Sequence, residues 1–375
     1  MKVLHIITGL TTGGAERALY NLLQGGLSTK FDSHVISMTD AGTFGPLIKA
    51  LGVLVTTLEM PAGRPTLAGL LKLRNIVKTL QPDVIQGWMY HGNLAATQAC
   101  SMLSERAALV WNIRQTLYQI GNEKFLTRQV IRANRFFSKA PDALLYNSQL
   151  SRQQHEAFGF ASKNGQVIAN GIDLQRFRFS QDARQSIRSE LTIPVEALVV
   201  GHVARLHPMK DHANFLQAAE IIALQHANVH FVLSGRGVCM ENASLRQQIP
   251  GTLQDRFHLL GERSDVADLM SAIDVLCLCS AWGEGFPNVL GEAMAVAVPC
   301  IATDVGDSGL LIGDYGAIVP PRDKTALAAG IESLLTLPLT ERRLLGEQAR
   351  RRIEDNFTLS EIVGQYVDLY HNLKM

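Results

Sequence analysis

Short apolar runs alternate with segments of helical spacing along almost the whole chain, and this alternation restricts the fold more than any other feature. Val3–Ile7, Val35–Met38, Val53–Leu58, Val84–Gln86, Leu109–Ile113, Ala143–Tyr146 and Val167–Ala169 read as strands. Between them, Gly14–Gln24, Leu67–Leu80, Asn93–Leu103, Phe125–Phe137 and Gln149–Phe158 read as helices. Strands that are apolar throughout are buried on both faces, which calls for a parallel sheet with helices on either side. A polar break, NGIDLQRFRFSQDARQSIRSELTIPVEA, interrupts the series. It resumes with Leu198–Val203, Ala213–Gln225, Val229–Leu233, Phe257–Leu260, Val266–Ala272 and Val275–Leu278. Thr325–Leu335, Glu341–Asp355 and the amphipathic FTLSEIVGQYVDLYHNL follow. At 375 residues the chain is too long for one ordinary domain. Two doubly wound α/β domains are expected, 1–175 and 176–356, with the boundary between Asp173 and Glu196.

Charge separates the two halves. The overall +1 conceals 17 Lys+Arg against 9 Asp+Glu up to Asn170, a surplus of +8, and 18 against 25 beyond it, or −7. The first half is therefore expected to meet something anionic, a membrane surface or an anionic acceptor. Lys124, Arg128, Arg132, Arg135 and Lys139 interleave with Phe125, Leu126, Val130, Ile131, Phe136 and Phe137. That stripe, 124–139, fits a solvated helix over a core and also a helix lying on anionic lipid. The five cysteines include no C-x-x-C pair and sit mostly in apolar runs, as expected of reduced core residues in the cytoplasm. MKVLHIITGL is followed at once by Gly13-Gly14 and Glu16-Arg17, so it reads as a first strand and not as a leader. No run reaches the roughly 18 apolar residues of a spanning helix. Any meeting with a membrane is expected to be peripheral, at its inner face.

The chemistry concentrates in SAWGEGFPNVLGEAMAVAVPCIATDVGD, Ser280 to Asp307. Strand, glycine turn, helix and strand together present backbone N–H groups and a helix N-terminus to an anion. Glu284 falls in the turn, and Glu292 about one turn into the helix. Both could face one crevice and take separate hydroxyls of an extended ligand; taken alone, the pair also fits a first-turn Glu favoured by the helix dipole plus a solvated helical Glu. The stretch Glu-Gly-Phe-Pro-Asn-Val-Leu-Gly-Glu-Ala-Met, however, resembles the signature of the family-four retaining glycosyltransferases. That resemblance implies the GT-B fold, two facing Rossmann-like domains with parallel sheets. It also implies that the helix within 357–375 crosses back onto the first domain. Glu284 would contact the transferred sugar, together with Gly285, Phe286, Pro287, Asn288 and Val289, and Glu292 would hold the ribose.

Other segments extend the resemblance over nearly the whole chain. Gly13-Gly14 at a strand-to-helix junction allows close backbone approach, and resembles the family's N-terminal glycine loop facing the donor diphosphate. Arg205 and Lys210 leave a strand end on one loop and resemble an Arg-x4-Lys clamp that stabilises the departing nucleoside diphosphate. Leu233-Ser234-Gly235-Arg236-Gly237 resembles the turn beside the nucleotide, and makes Arg236 a candidate contact. Gly261–Val266, with Arg263 and Val266, resembles the loop that holds the base. His91 resembles a histidine beside the donor sugar, where it would donate or accept a hydrogen bond near the reacting carbon. Arg114 and Tyr90 are candidates on the acceptor side.

The resemblance implies a retaining hexosyltransferase with a nucleoside diphosphate sugar, expected to be a UDP-sugar, as co-substrate. Its acceptor would be a saccharide or lipid-linked saccharide in polysaccharide or glycolipid synthesis, with no nucleic acid involved. No Asp-x-Asp occurs, so neither metal nor cofactor is expected. A sugar-nucleotide epimerase, a hydrolase or a non-catalytic binding protein of the same fold is the alternative. Ala297 departs from the family's usual glycine, Gly291 from a usually apolar position, and Ser308-Gly309 from an acidic one.

Overall fold

The computed structural model describes residues 1–61, 63–118, 120–122 and 124–374. Among these, the chain divides into two units: Met1–Gly171 with Leu359–Met375, and Ile172–Thr358. The first unit is built on β1 (Lys2–Ile7), β2 (Asp32–Ser37), β3 (Leu54–Thr57), β4 (Val84–Trp88), β5 (Ala108–Ile113), β6 (Ala143–Tyr146) and β7 (Gly165–Val167). They pair in parallel in the order β3-β2-β1-β4-β5-β6-β7. One face buries Val3, Val35, Val84 and Val110, and the other Leu4, Ile36, Ile85 and Leu109. Apolar residues at successive positions are what a sheet covered on both sides needs.

The second unit carries β8 (Leu198–Val203), β9 (Val229–Ser234), β10 (Phe257–Leu259), β11 (Val275–Leu278), β12 (Cys300–Thr303) and β13 (Gly316–Val319). Their order is β10-β9-β8-β11-β12-β13, again parallel. In both sheets the winding reverses direction once, between β1 and β4 and between β8 and β11. At such a switch point the loops leaving the two strands diverge and open a crevice at the strand C-termini. In each unit the candidate motifs follow these strands.

The helix Leu359–Asn372 belongs to the first unit. Its Leu359, Ile362, Tyr366 and Tyr370 join the core. Asn112 Nδ2 donates to the Tyr366 hydroxyl at 2.9 Å, and the Tyr370 hydroxyl donates to Gln86 Oε1. Two buried hydroxyls are thus satisfied by the strands on which the helix rests.

Several expectations need correction. The polar break is not a bare connection: Gln181–Glu190 is a helix, with Ser180 Oγ accepting from Ala183 N at 3.2 Å. Arg184 and Arg188 of this helix pair with Asp274, which explains why a polar segment is ordered at all. The helix expected over Asn93–Leu103 runs Met89–Cys100. Met89 at φ 61° makes the turn out of β4 within one residue, so no loop precedes the helix. The helix Phe44–Ala50 and β13 were not expected. The first contains Gly45 and Pro46, and the second is a half-covered edge strand, so neither shows an apolar period.

Two departures from the family pattern have structural reasons. A Cβ on Gly291 would stand 2.8 Å from Ile172 Cδ1, so Ile172 occupies the space that a larger side chain would take. Ala297 lies at φ 61°, the left-handed region where a Cβ is strained. Ala297→Gly is therefore expected to stabilise by about 0.5–1 kcal/mol, the strain relief exceeding the entropy that glycine gains unfolded. A urea midpoint at or below that of the unaltered chain would refute this.

Candidate functional site

In the second unit the β8 and β11 loops interlock. Ala281 N donates to Met209 O at 2.8 Å, and the Cys279 thiol donates to Lys210 O at 3.3 Å. These contacts place Lys210 against Glu284, 74 residues along the chain, and Lys210 Nζ donates to Glu284 Oε1. The same oxygen accepts from Ser280 Oγ at 2.5 Å. Ser280 is in turn fixed from behind, since Thr303 Oγ1 donates to its carbonyl at 2.7 Å. Glu284 is only 7% exposed, so its charge needs these partners. Sequence reasoning singled out Glu284 and Lys210 separately; it missed Ser280 and Thr303. Ser280, four residues before Glu284, could have been found within the same motif, whereas nothing local marks Thr303.

The turn after β12 completes this wall. Gly306 sits at φ 67°, and a Cβ there would lie 2.5 Å from Glu284 O. Asp307 N donates to Gly285 O at 2.9 Å. The turn after β12 thus holds the Gly285 carbonyl, and Phe286 packs its ring on Phe357 at 5.4 Å. Pro287 then starts the helix Asn288–Ala295, which no side chain caps. By contrast, the helix His212–Gln225 is capped by Asp211 through Asn214 N. An uncapped N-terminus presents its first N–H groups and the positive end of the dipole to an anion. Asn288 and Val289 occupy that first turn, half-buried, and Glu292 lies one turn in, also half-buried.

Arg205 is exposed at the start of the β8 loop. Arg236 is exposed too, and its backbone is tied to that loop, Leu206 N donating to Arg236 O at 2.9 Å. Arg263 is placed otherwise. Its guanidinium bonds Asp265 at 2.8 and 2.6 Å and Glu190 at 2.6 and 3.2 Å, and these partners raise its pKa further. That arginine fastens the loop to the Gln181–Glu190 helix. Val266 opens the helix Val266–Ala272 and is half-buried. Among the described residues no cluster of three or more His, Cys, Asp or Glu could hold a metal ion.

In the first unit Gly13 is the extended N-cap of the helix Gly14–Leu22, at φ −160°, again with no side-chain cap. His91 lies in the first turn of Met89–Cys100 and lines a cavity of about 230 Å³ with Thr8, Met38, Met60 and Leu94. Burial lowers its pKa, which favours a neutral imidazole able both to donate and to accept. Tyr90, its neighbour, turns into the core at 4% exposure, and its hydroxyl bonds His155 Nε2 at 2.7 Å. Arg114 is also committed internally. It bonds Tyr366 at 3.1 Å, Asn112 at 3.3 Å and Asn170, and lies 5.7 Å over the Trp88 ring. The structure thus gives Arg114 the task of locking the C-terminal helix to β5, and gives Tyr90 a packing role.

Comparison with known proteins agrees with this architecture. Residues 12–176 match the family Glycosyltransferase Family 4, and residues 197–337 match Glycosyl transferases group 1. The N-acetyl-alpha-D-glucosaminyl L-malate synthase of Bacillus anthracis is 29% identical over 286 residues, 75% of this chain and 72% of that protein. The UDP-Gal:alpha-D-GlcNAc-diphosphoundecaprenol alpha-1,3-galactosyltransferase of Escherichia coli is 28% identical over 54% of this chain and 53% of that enzyme. A crystal structure of Anabaena HepE in complex with UDP has a TM-score of 0.86 at 22% identity, over 99% of this chain and 100% of that one. Two parallel-sheet units of seven and six strands, and family matches in both, lead to one conclusion: the chain belongs to the family-four, group 1 glycosyltransferases and has their GT-B fold.

Proposed function

We propose that the protein transfers a hexose from a nucleoside diphosphate sugar, a UDP-sugar, with retention of anomeric configuration and without a metal ion. The acceptor is a saccharide or lipid-linked saccharide in polysaccharide or glycolipid synthesis. The observation that carries this reading is the pairing of Lys210, from the β8 loop, with Glu284, which stands in the loop that precedes the uncapped Asn288–Ala295 helix. Leaving-group departure puts negative charge on a diphosphate. Lys210, Arg205 and the helix N–H groups supply fixed positive charge and donors, the part that a divalent ion plays elsewhere. Glu284 and the backbone of Gly285–Val289 take the sugar hydroxyls, and Glu292 the ribose. Arg236 contributes a further cation beside the nucleotide. The backbone around Arg263 and Val266 takes the base. His91 hydrogen-bonds the sugar near its reacting carbon, and Gly13-Gly14 contributes backbone N–H groups to the diphosphate.

The choice of UDP is supported by relatives. The E. coli enzyme is named for UDP-Gal, and HepE has been crystallised with UDP and with UDP-glucose. A thermal-shift panel tests it. UDP-sugars are expected to raise Tm by several degrees at 100 times Kd, about 2.7 kcal/mol of linkage, with GDP- and ADP-sugars ineffective and EDTA without effect. A response confined to another nucleotide, or abolished by EDTA, would contradict the proposal. NMR of the product's anomeric proton decides retention.

A peripheral membrane location is part of this proposal. The helix Phe125–Phe137 buries Ile131 and Asn134, yet leaves Phe125, Leu126, Phe136 and Phe137 between 46% and 79% exposed. Such apolar side chains among cations suit the interface of an anionic bilayer. Among the described residues no helix is long and apolar enough to cross a membrane. Flotation with vesicles containing anionic lipid is expected to carry the protein upward in low salt and to release it in high salt. Replacing Phe136 and Phe137 with Ser should abolish flotation, and equal flotation of that variant would remove the helix from the account.

A further inference from the structure

Glu284 is held by one oxygen only. Its Oε1 accepts from both Lys210 Nζ and Ser280 Oγ, whereas Oε2 has no hydrogen-bond partner among the described residues. Oε2 is not sealed off either: solvent reaches it, although the side chain as a whole is only 9% exposed.

The two donors on Oε1 differ in stiffness. Lys210 comes from the β8 loop on a flexible four-carbon stem, and one of its three ammonium hydrogens serves Oε1. Ser280 is completely buried, and a single side-chain torsion separates its oxygen from the backbone. That backbone is fixed from two directions. The Ser280 carbonyl accepts from Thr303 Oγ1, at the end of β12, at 2.7 Å, and the next N–H, that of Ala281, donates to Met209 O at 2.8 Å.

This difference decides which donor orients the carboxylate. The last torsion of a glutamate is broad, so a single flexible lysine leaves the carboxylate free to turn. A second donor at 2.5 Å, carried on a fixed backbone, stops that rotation. Oε1 is then occupied, and Oε2 is left as a pure acceptor, which suits hydroxyl hydrogens and repels a phosphate. Ser280 would also stay on Oε1 while Lys210 turns its other hydrogens to a diphosphate, so the buried carboxylate would keep a donor.

We propose that Ser280 is a positioning residue for sugar recognition: it anchors Oε1 of Glu284 and thereby presents Oε2 to hydroxyl groups of the sugar carried by the nucleotide. This role rests on the donor site proposed above. Being buried, Ser280 acts through Glu284 and touches neither sugar nor nucleotide.

Isothermal titration of the full chain with UDP, UDP-glucose, UDP-galactose and UDP-N-acetylglucosamine tests it. Ser280→Ala should weaken the best-bound UDP-sugar on the order of tenfold, the scale of a hydrogen bond to a charged group, and change UDP affinity by less than about twofold. UDP lacks the sugar, so a purely structural defect would weaken both ligands together. Thr303→Val keeps the side-chain shape and removes the hydroxyl behind Ser280. It should give the same selective loss, on the order of threefold, and it carries the test should Ser280→Ala not fold. Unchanged UDP-sugar affinity in Ser280→Ala overturns the proposal, as does an equal loss for UDP and UDP-sugar. Failure of the donor reading shows differently: the unaltered chain would then bind no UDP-sugar, and the role of Ser280 would fall with it.

Discussion

Lys210→Ala is expected to lower kcat by on the order of a hundredfold to a thousandfold, with KM for the donor changed far less. A charged donor aimed at developing negative charge is worth about 2.7–4 kcal/mol of transition-state stabilisation, and it acts fully only as the leaving group departs. The substitution also removes an ion-pair partner from Glu284, which is 7% exposed and keeps Ser280 as a donor. That structural cost, about 1–3 kcal/mol, would appear in Tm. The two effects separate because kcat is measured on folded enzyme well below Tm. Lys210→Arg retains the charge while changing its geometry, so it should recover part of the rate. A near-normal kcat in Lys210→Ala would remove leaving-group stabilisation from this side chain. A fall in Tm with no fall in rate would leave it a purely structural cation.

Asp274→Ala should cost about 3–5 kcal/mol of stability, the largest loss expected from a single change outside the site. Asp274 accepts from Arg184 at 2.7 Å, from Arg188 at 2.6 Å and from Val199 N at 2.8 Å. Arg188 is 5% exposed, so removing the carboxylate leaves its charge buried without a counterion. Its remaining bonds, to the carbonyls of Ala197, Val195 and Ala272, orient the guanidinium but do not neutralise it. Arg106→Ala is the internal control. Arg106 pairs with Asp142 from a side chain 83% exposed, where solvent screens the interaction to below about 1 kcal/mol. Replacing Arg188 and Asp274 together by Met and Leu should recover most of the loss, since the penalty lies in the unpaired charge. Urea midpoints of the four proteins decide the matter, and equal losses for Asp274→Ala and Arg106→Ala would refute the argument.

What was legible in the chain is what short segments encode. Leu67–Leu80, Phe125–Phe137, Gln149–Phe158 and Val266–Ala272 have the bounds that their spacing suggested. A helix or strand buried on a known face writes that face into consecutive residues. The glycine turns and paired charges likewise sit within a dozen residues of one another, so Glu284, Glu292, Arg205 and Lys210 stand out in the linear sequence. The helix Gln181–Glu190 escaped because its order comes from Asp274, some 90 residues on, and not from an apolar stripe.

The partner of each side chain was decided only by the tertiary structure. Arg114, Arg263 and Tyr90 had the right chemistry for a ligand, yet the fold commits them to Tyr366, to Glu190 and Asp265, and to His155. His212 and Asn214, unremarkable in sequence, emerge buried, each with a side-chain nitrogen that has no partner among the described residues. Propensity and spacing act between neighbours along the chain, whereas desolvation and hydrogen bonding depend on which distant element is packed overhead. The amino-acid order therefore determined the two wound sheets and the loops that bear the charges. Packing decided which of those charges are tied to partners inside the fold and which stay exposed.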